Sequence, residues 1–410
     1  MQPSSNHNDH PSNDHYETDI RYTFELCHWI LKPIGMYPFI FNRTSSYERI
    51  SSVLLILLCF SILQFVIVPF GHHILFIEKD INTFVKYLGP LTFCLTTFFK
   101  YCYFGAKGTA IGRCVKHVER DWKMLQDENH RMIMIKHVTI SRNLIKLCAI
   151  FLYTGGLSYH TIIPLFSKKN INGNVTFRSL TYPGYEDFFD VQKSPAYEIV
   201  YCMHYVYVLV TVHITMAAYS LTTIFATHAC GQIKIQTTRL ENLTKGEKLL
   251  EKVVKDRLAV IISGHVQILK FMRSIENALH EIFLIEVIVS TALLCLIEYL
   301  CMMEWESNDA ITILPYVSLL ICFTFNILIF CYVGELLLGQ GSEIAYASYN
   351  TKWYNLPRRK ARDIVLLLAI SKIPIRLTAG KIFVLSLNTF GVVLKSSIVY
   401  LNMLRTVTEF

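Results

Sequence analysis

The chain has 410 residues, 52% of them hydrophobic and only 17% charged, against roughly 25% charged in soluble proteins. The apolar surplus is gathered in long runs rather than alternating positions, which makes lipid the expected solvent, excludes general disorder and argues against a cytosolic enzyme. The net charge of +8 suggests nucleic acid only until it is mapped onto the chain, where it sorts into alternate loops.

Residues 1–19 are polar, lack apolar periodicity and read as a disordered tail, and residues 20–410 read as one membrane unit. His7, His10 and His15 in the tail have no fold to converge them on a metal. No apolar core with a small-residue cleavage site occurs there, so no cleavable signal peptide is expected. Seven spans follow, at 50–70, 84–104, 144–166, 196–226, 282–303, 311–338 and 382–404, each near the ~20 residues that cross a bilayer as a helix. A further apolar run at 364–370 is too short to cross and fits a re-entrant or cytosol-packed helix leading into the last span.

Basic residues are retained on the cytoplasmic side of a membrane. Spans two and three are joined by a connection rich in them (Lys107, Arg113, Lys116, Arg120, Lys123), as are spans four and five (Lys234 to Arg273) and spans six and seven (Lys352, Arg358, Arg359, Lys360, Arg362, Lys372). The alternate loops are poorer: Lys79 stands alone in the first, the second has Lys168, Lys169, Arg178 and Lys193, and the third, at 304–309, is acidic without a basic residue. This predicts an all-α membrane protein of seven transmembrane helices, N-terminus cytoplasmic and C-terminus extracellular. The sequon at Asn174 then falls in an outer loop and is a candidate glycan site, whereas those at Asn42 and Asn242 fall inside. The orientation is the reverse of a G-protein-coupled receptor, and neither the Asp-Arg-Tyr nor the Asn-Pro-x-x-Tyr motif of that class is present.

Enzyme chemistry has no foothold. Most of the twelve cysteines lie inside apolar runs, where a free Cys acts as a small hydrophobe, and no CxxC pair exists. His204 and His213 do not stack as ligands at i, i+4, and no HExxH, nucleophile elbow or phosphate-binding glycine loop occurs. No metal or cofactor is expected. Charges inside spans are functional candidates by default because burying them costs several kcal/mol. Lys100 and Lys146 lie near cytoplasmic ends, where snorkelling explains them, and Glu298 is close to the outer end. Glu286 and Lys395 lie deeper, so each either lines a wet cavity or pairs across helices.

The last span is apolar but threaded with Ser386, Asn388, Thr389, Ser396, Ser397 and Asn402. Ser396, Val399 or Tyr400, Met403 and Val407 recur at three- and four-residue steps and share one face. Such a face suits a channel lining that closes by dewetting, and equally a helix packed in its own bundle.

The stretch Thr378-Ala379-Gly380-Lys381, followed by Leu385-Ser386-Leu387-Asn388-Thr389-Phe390 and Val393-Leu394-Lys395-Ser396-Ser397, resembles the C-terminal signature of insect odorant receptors. Upstream, Cys331-Tyr332-Val333-Gly334-Glu335, Tyr349, Trp353-Tyr354, Leu356-Pro357 and Pro374 are similar to the block that precedes it in that family, and Asp121-Trp122 is a weaker match further back. The ending of gustatory receptors, Thr-Tyr-x-x-x-x-x-Gln-Phe, is absent, although a gustatory-type channel and a metabotropic seven-helix receptor remain the alternatives.

The resemblance implies an odorant-gated, non-selective cation channel at the plasma membrane of an olfactory neuron's dendrite. Four subunits would surround a pore lined by helix 382–408, with segments 228–281 and 339–376 forming a cytosolic anchor. It carries the pore-facing turn onto Val399, Met403 and Val407, the last two as the gate. The connection between spans four and five is shorter than in the family's common co-receptor, which marks this chain as a ligand-specific subunit that pairs with that co-receptor. The ligand, a small volatile hydrophobic molecule, would sit between spans two, three, four and six. There the chain offers Leu88, Leu91, Thr92, Leu95, Gly156, Tyr159, His204, Tyr207, Val208, Tyr316 and Leu320.

Overall fold

A computed structural model describes residues 13–41, 45–166, 171–172, 175–176, 178–244, 251–305 and 310–408. The candidate glycan site Asn174 lies outside the described residues. Helix α1 (Tyr16–Leu31) buries Asp19, Thr23, Phe24, Cys27 and Leu31 along one stripe and packs against three longer helices. The expected tail therefore ends sooner than residue 19. Arg131 donates to both carboxylate oxygens of the buried Asp19, at 2.7 and 2.9 Å, a two-pronged bond that fixes the start of α1. A short α2 (Tyr37–Phe41) follows.

The remaining α-helices, all long except α9, are α3 (Ser46–His72), α4 (Ile81–Lys123), α5 (Glu128–Phe166), α6 (Ala196–Glu241), α7 (Glu251–Trp305), α8 (Ala310–Asn350), α9 (Arg358–Ser371) and α10 (Leu387–Thr408). Helix α3 opens on a capping box between Ser45 and Glu48, which satisfies two of the backbone donors its first turn leaves orphaned. The Asp80 carboxylate accepts from the Thr83 amide at 2.9 Å and starts α4 in the same way. Six of the long helices, α3, α5, α6, α7, α8 and α10, are apolar enough to cross a bilayer. Helix α4 has the length, but Lys86, Lys100 and a run of threonines dilute it. Thr92, Thr96 and Thr97 turn their hydroxyls back onto carbonyls one turn earlier, the usual way to hide such groups in an apolar bundle.

At 1.5 Å per residue the helices α4 to α8 run about 60–80 Å, twice the ~30 Å of a hydrocarbon core. What reads in sequence as basic connecting loops is therefore mostly continuous helix. Helix α6 is the axis: from Thr211 to Gln236 nearly every side chain is buried, with α4, α5, α7, α8 and α1 around it. Its small residues Ala217, Ala218, Ser220, Ala226, Ala229 and Gly231 let neighbouring backbones close in. By contrast α3 and α10 lie at the edge, each buried on one side only.

The short apolar run at 364–370 is the centre of α9, which lays Ile364 and Leu367 against the bundle and packs on α8. At 14 residues it spans about 21 Å and does not cross a bilayer. The last helix begins later than residue 382, because β3 (Thr378–Ala379) and β4 (Phe383–Val384) first form an antiparallel hairpin. A second small hairpin pairs β1 (Ile171–Asn172) with β2 (Val175–Thr176).

Candidate functional site

Five helices enclose a cavity of about 70 Å³ near one end of the bundle. Helix α4 contributes Gly89, Pro90 and Phe93; α5 gives Leu152, Gly156, Tyr159 and His160; α6 gives Val208 and Val212. Helix α7 adds Leu293, Ile297 and Leu300, α8 adds Tyr316, Leu319, Cys322 and Phe323, and Tyr182 closes it from the α5–α6 connection. The glycine pair 155–156 sets its width. A Cβ on Gly155 would come within 2.8 Å of Cys322 on α8, and one on Gly156 within 3.0 Å of Val208 on α6, so α5 lies close to both neighbours as only small residues allow.

Aromatic pairs stand in the largely aliphatic cavity wall. Phe93 and Phe323 meet edge to face with centroids 5.8 Å apart, and Tyr159 meets Tyr316 at 6.4 Å. His160 Nδ1 lies 2.9 Å from the Gly156 carbonyl. A carbonyl only accepts, so Nδ1 carries the proton and Nε2 accepts from the Tyr182 hydroxyl at 3.1 Å. That bond ties the connecting loop to the cavity roof.

Of the residues expected around a ligand, Gly156, Tyr159, Val208 and Tyr316 face this cavity. The others do not. Leu88 and Leu320 are half-buried in the surrounding apolar clusters, Leu91 is in the main core, and Leu95 is exposed. The Thr92 hydroxyl is spent on Leu88 O. His204 is 1% exposed, with Nε2 3.1 Å from the Tyr185 hydroxyl and its ring against Tyr182. Tyr207 is buried behind Tyr182. The cause on α4 is rotational: the face that meets the cavity is 89–90–93, and a shift of one residue turns a helix by about 100°. Leu152, His160, Val212, Leu319 and Phe323 also line the cavity, each one helical turn from a residue expected there. Tyr182 and the whole contribution of α7 had no such signal.

Beneath the cavity the same helix faces turn polar. Lys100 Nζ on α4 lies 2.5 Å from Glu286 Oε2 on α7, and the Tyr219 hydroxyl on α6 donates to Glu286 Oε1 at 2.7 Å. Lys100 is 3% exposed, so it does not snorkel to an interface; it is one half of a buried ion pair. Glu286 pairs across helices, and Lys395 faces outward from α10. Glu298 accepts from the Ser397 hydroxyl at 3.0 Å and links α7 to α10.

The polar residues of the last span divide by position. Ser386 is the cap of α10: its Oγ accepts from the Thr389 amide at 3.3 Å, and its carbonyl accepts the first helical bond from Phe390. Glu335 on α8 accepts from the Leu387 amide at 3.1 Å, where a negative charge meets the positive end of the helix dipole. Gly334 beside it is required by close approach, since a Cβ there would fall 2.3 Å from Leu385 O. Gly380 and Lys381 both take positive φ in the β3–β4 turn, and the Gly380 amide donates to His280 O on α7 at 2.8 Å. The paired motifs of the sequence thus clamp the root of α10 onto α7 and α8. Beyond it Ser396 is half-buried, while Val399, Tyr400 and Met403 are exposed. Position 407 continues the helix one turn past Met403.

A profile of the 7tm Odorant receptor family matches residues 80–398. The chain is 24% identical to odorant receptor 13a of Drosophila melanogaster over 61% of its own length and 72% of the relative's. It is 21% identical to odorant receptor 49a of the same species over 54% of its length and 55% of the relative's. Its fold is similar to that of the insect olfactory receptor OR5 from Machilis hrabei in complex with eugenol. The TM-score is 0.79 at 16% identity, covering 96% of this chain and 100% of that one. A second structure of OR5 from Machilis hrabei gives a TM-score of 0.76 at 15% identity, over 95% of this chain and 99% of that one.

Proposed function

The chain belongs to the 7tm odorant receptor family, and from that premise we propose that it works as an odorant-gated, non-selective cation-channel subunit. It is a multi-pass membrane protein, read here as residing in the dendritic membrane of an olfactory neuron. In this reading a small volatile occupies the cavity, α10 lines a central pore, and the family's co-receptor supplies the other subunits of a heterotetramer.

The observation that carries the proposal is a shared apolar cluster. Cavity residues Tyr159, Leu293, Ile297, Leu300 and Tyr316 pack in one unit with Leu296 and Tyr299, and Leu401 and Leu404 of α10 lie directly on it. A molecule pressing on α7 from within the cavity therefore pushes on the back of α10, whose opposite face carries Val399 and Met403. The far ends of the helices support assembly: Tyr346, Tyr349, Tyr354, Leu366 and Ile373 are exposed there, beyond the apolar spans, and apolar surface of that kind marks a partner contact. That end is read as the cytosolic anchor.

Opening requires that the ligand bind the open state better than the closed one, since equal affinity shifts nothing. The ring of Met403 and Val407 is the narrow part that closes by dewetting. Met403→Ser or Val407→Ser, co-expressed with the co-receptor, raises the resting current and leaves less for odorant to add. Unchanged resting current at normal surface expression overturns the gate assignment.

A further inference from the structure

Four of the five helices around the cavity, α4, α6, α7 and α8, carry one face from apolar wall to polar floor. On α6 the steps are Val208, Val212, Thr215 and Tyr219; on α8 they are Cys322, Phe323 and Asn326; on α7 they are Leu293, Ser290 and Glu286. A second, smaller cavity of about 10 Å³ adjoins the first at that floor, and Phe93, Leu152, Leu293 and Phe323 line both. Its size is that of one water molecule or one hydroxyl group.

Two neutral groups in its lining are buried without a partner. Asn326 is 1% exposed; its Nδ2 donates to Cys322 O at 2.7 Å, which fixes the amide, and Oδ1 accepts nothing. Thr215 is 3% exposed and its hydroxyl has no partner either. The neighbouring charges are engaged with each other, Lys100 with Glu286 and Glu286 with Tyr219. An unmet acceptor and an unmet hydroxyl buried in an apolar bundle are a standing cost. A hydroxyl relieves both, since it donates to Asn326 Oδ1 and accepts from Thr215 Oγ1, and a ligand's hydroxyl reproduces there the bonds a water molecule would make. A carbonyl or ether accepts only and leaves Asn326 unpaired.

We propose that Asn326 and Thr215 form a hydroxyl subsite at the floor of the cavity, so that this chain selects small alcohols or phenols over aldehydes and hydrocarbons of the same shape. The proposal rests on reading the cavity as the odorant site. A site built around buried hydrogen-bonding groups rejects analogues that lack the matching group far more strongly than an apolar pocket discriminates by size.

The test uses the full chain in lipid nanodiscs and two series matched in heavy atoms: benzyl alcohol, benzaldehyde and ethylbenzene, and hexanol, hexanal and heptane. Binding is read as ligand-induced thermal stabilisation. The alcohol of each series should bind about tenfold more tightly than its aldehyde, and the alkane no better than the aldehyde. Thr215→Val keeps the shape and should bring the alcohol to within about threefold of the aldehyde, and Asn326→Leu should do the same. Equal binding within each series, an alcohol preference that survives both substitutions, or no stabilisation by any of the six overturns the proposal. Currents recorded in parallel with the co-receptor separate the two readings: stabilisation by alcohols without current leaves the subsite standing and removes the channel.

Discussion

Lys100 and Glu286 show how much a single pair of residues decides in this bundle. Each charge alone in an apolar interior would cost several kcal/mol; together, with the Tyr219 hydroxyl on the other carboxylate oxygen, they are tolerated. Removing one partner is worse than removing both, because the survivor is left buried and unpaired. Lys100→Met should lower stability by roughly 3–5 kcal/mol, and Lys100→Met combined with Glu286→Leu by clearly less. Thermal unfolding of the purified chain in one detergent compares them; a double variant less stable than Lys100→Met alone would refute this. The pair was not legible as a pair in sequence. Lys100 near a span end fits snorkelling, and only the rotation of α4 against α7 brings it onto Glu286.

At the scale of elements, the root of α10 is where several weak devices converge. Ser386 caps it, Glu335 compensates its dipole, Gly334 admits Leu385, and the hairpin turn through Gly380 and Lys381 bonds to His280. Ser386→Ala should cost about 1 kcal/mol of local stability and Glu335→Gln about 0.3–1 kcal/mol, both visible as faster amide hydrogen exchange in residues 387–390 and nowhere else. Exchange unchanged in that turn would remove the capping role. The signature residues were recognisable in order, but their purpose was not. A Gly beside a Glu on one helix says nothing of the strand end and helix start that approach it from forty or more residues away. Likewise the apolar periodicity of α4 marked an inward side, while the difference between Leu88, Leu91, Thr92 and Gly89, Pro90, Phe93 is a single step around the helix.

For the whole molecule, the long helices and the charge pattern make a joint statement. Lys and Arg crowd the C-terminal parts of α4 and α6 and the segment that follows α8, and are scarce at the opposite ends, so the N-terminus is read as cytoplasmic and the C-terminus as extracellular. An epitope placed after Phe410 should be stained on unpermeabilised cells and one placed before Met1 only after permeabilisation; the reverse pattern would exclude this orientation and the channel reading built on it.

By itself the sequence determined the solvent, the approximate place of the long apolar helices, the family and the stripe that Val399 and Met403 share on the last helix. Each of these depends on properties that run along the chain: mean hydropathy over a span, charge per loop, and residues spaced at one helical period. Only the tertiary structure decided which residues share the cavity, that α7 supplies one of its walls, that Lys100 meets Glu286, and that Asn326 and Thr215 are left without partners at its floor. Those facts depend on how each helix is rotated about its own axis against its neighbours. That rotation is set by the mutual fit of side chains such as Gly155, Cys322, Gly156 and Val208, and periodicity within one helix carries no record of it.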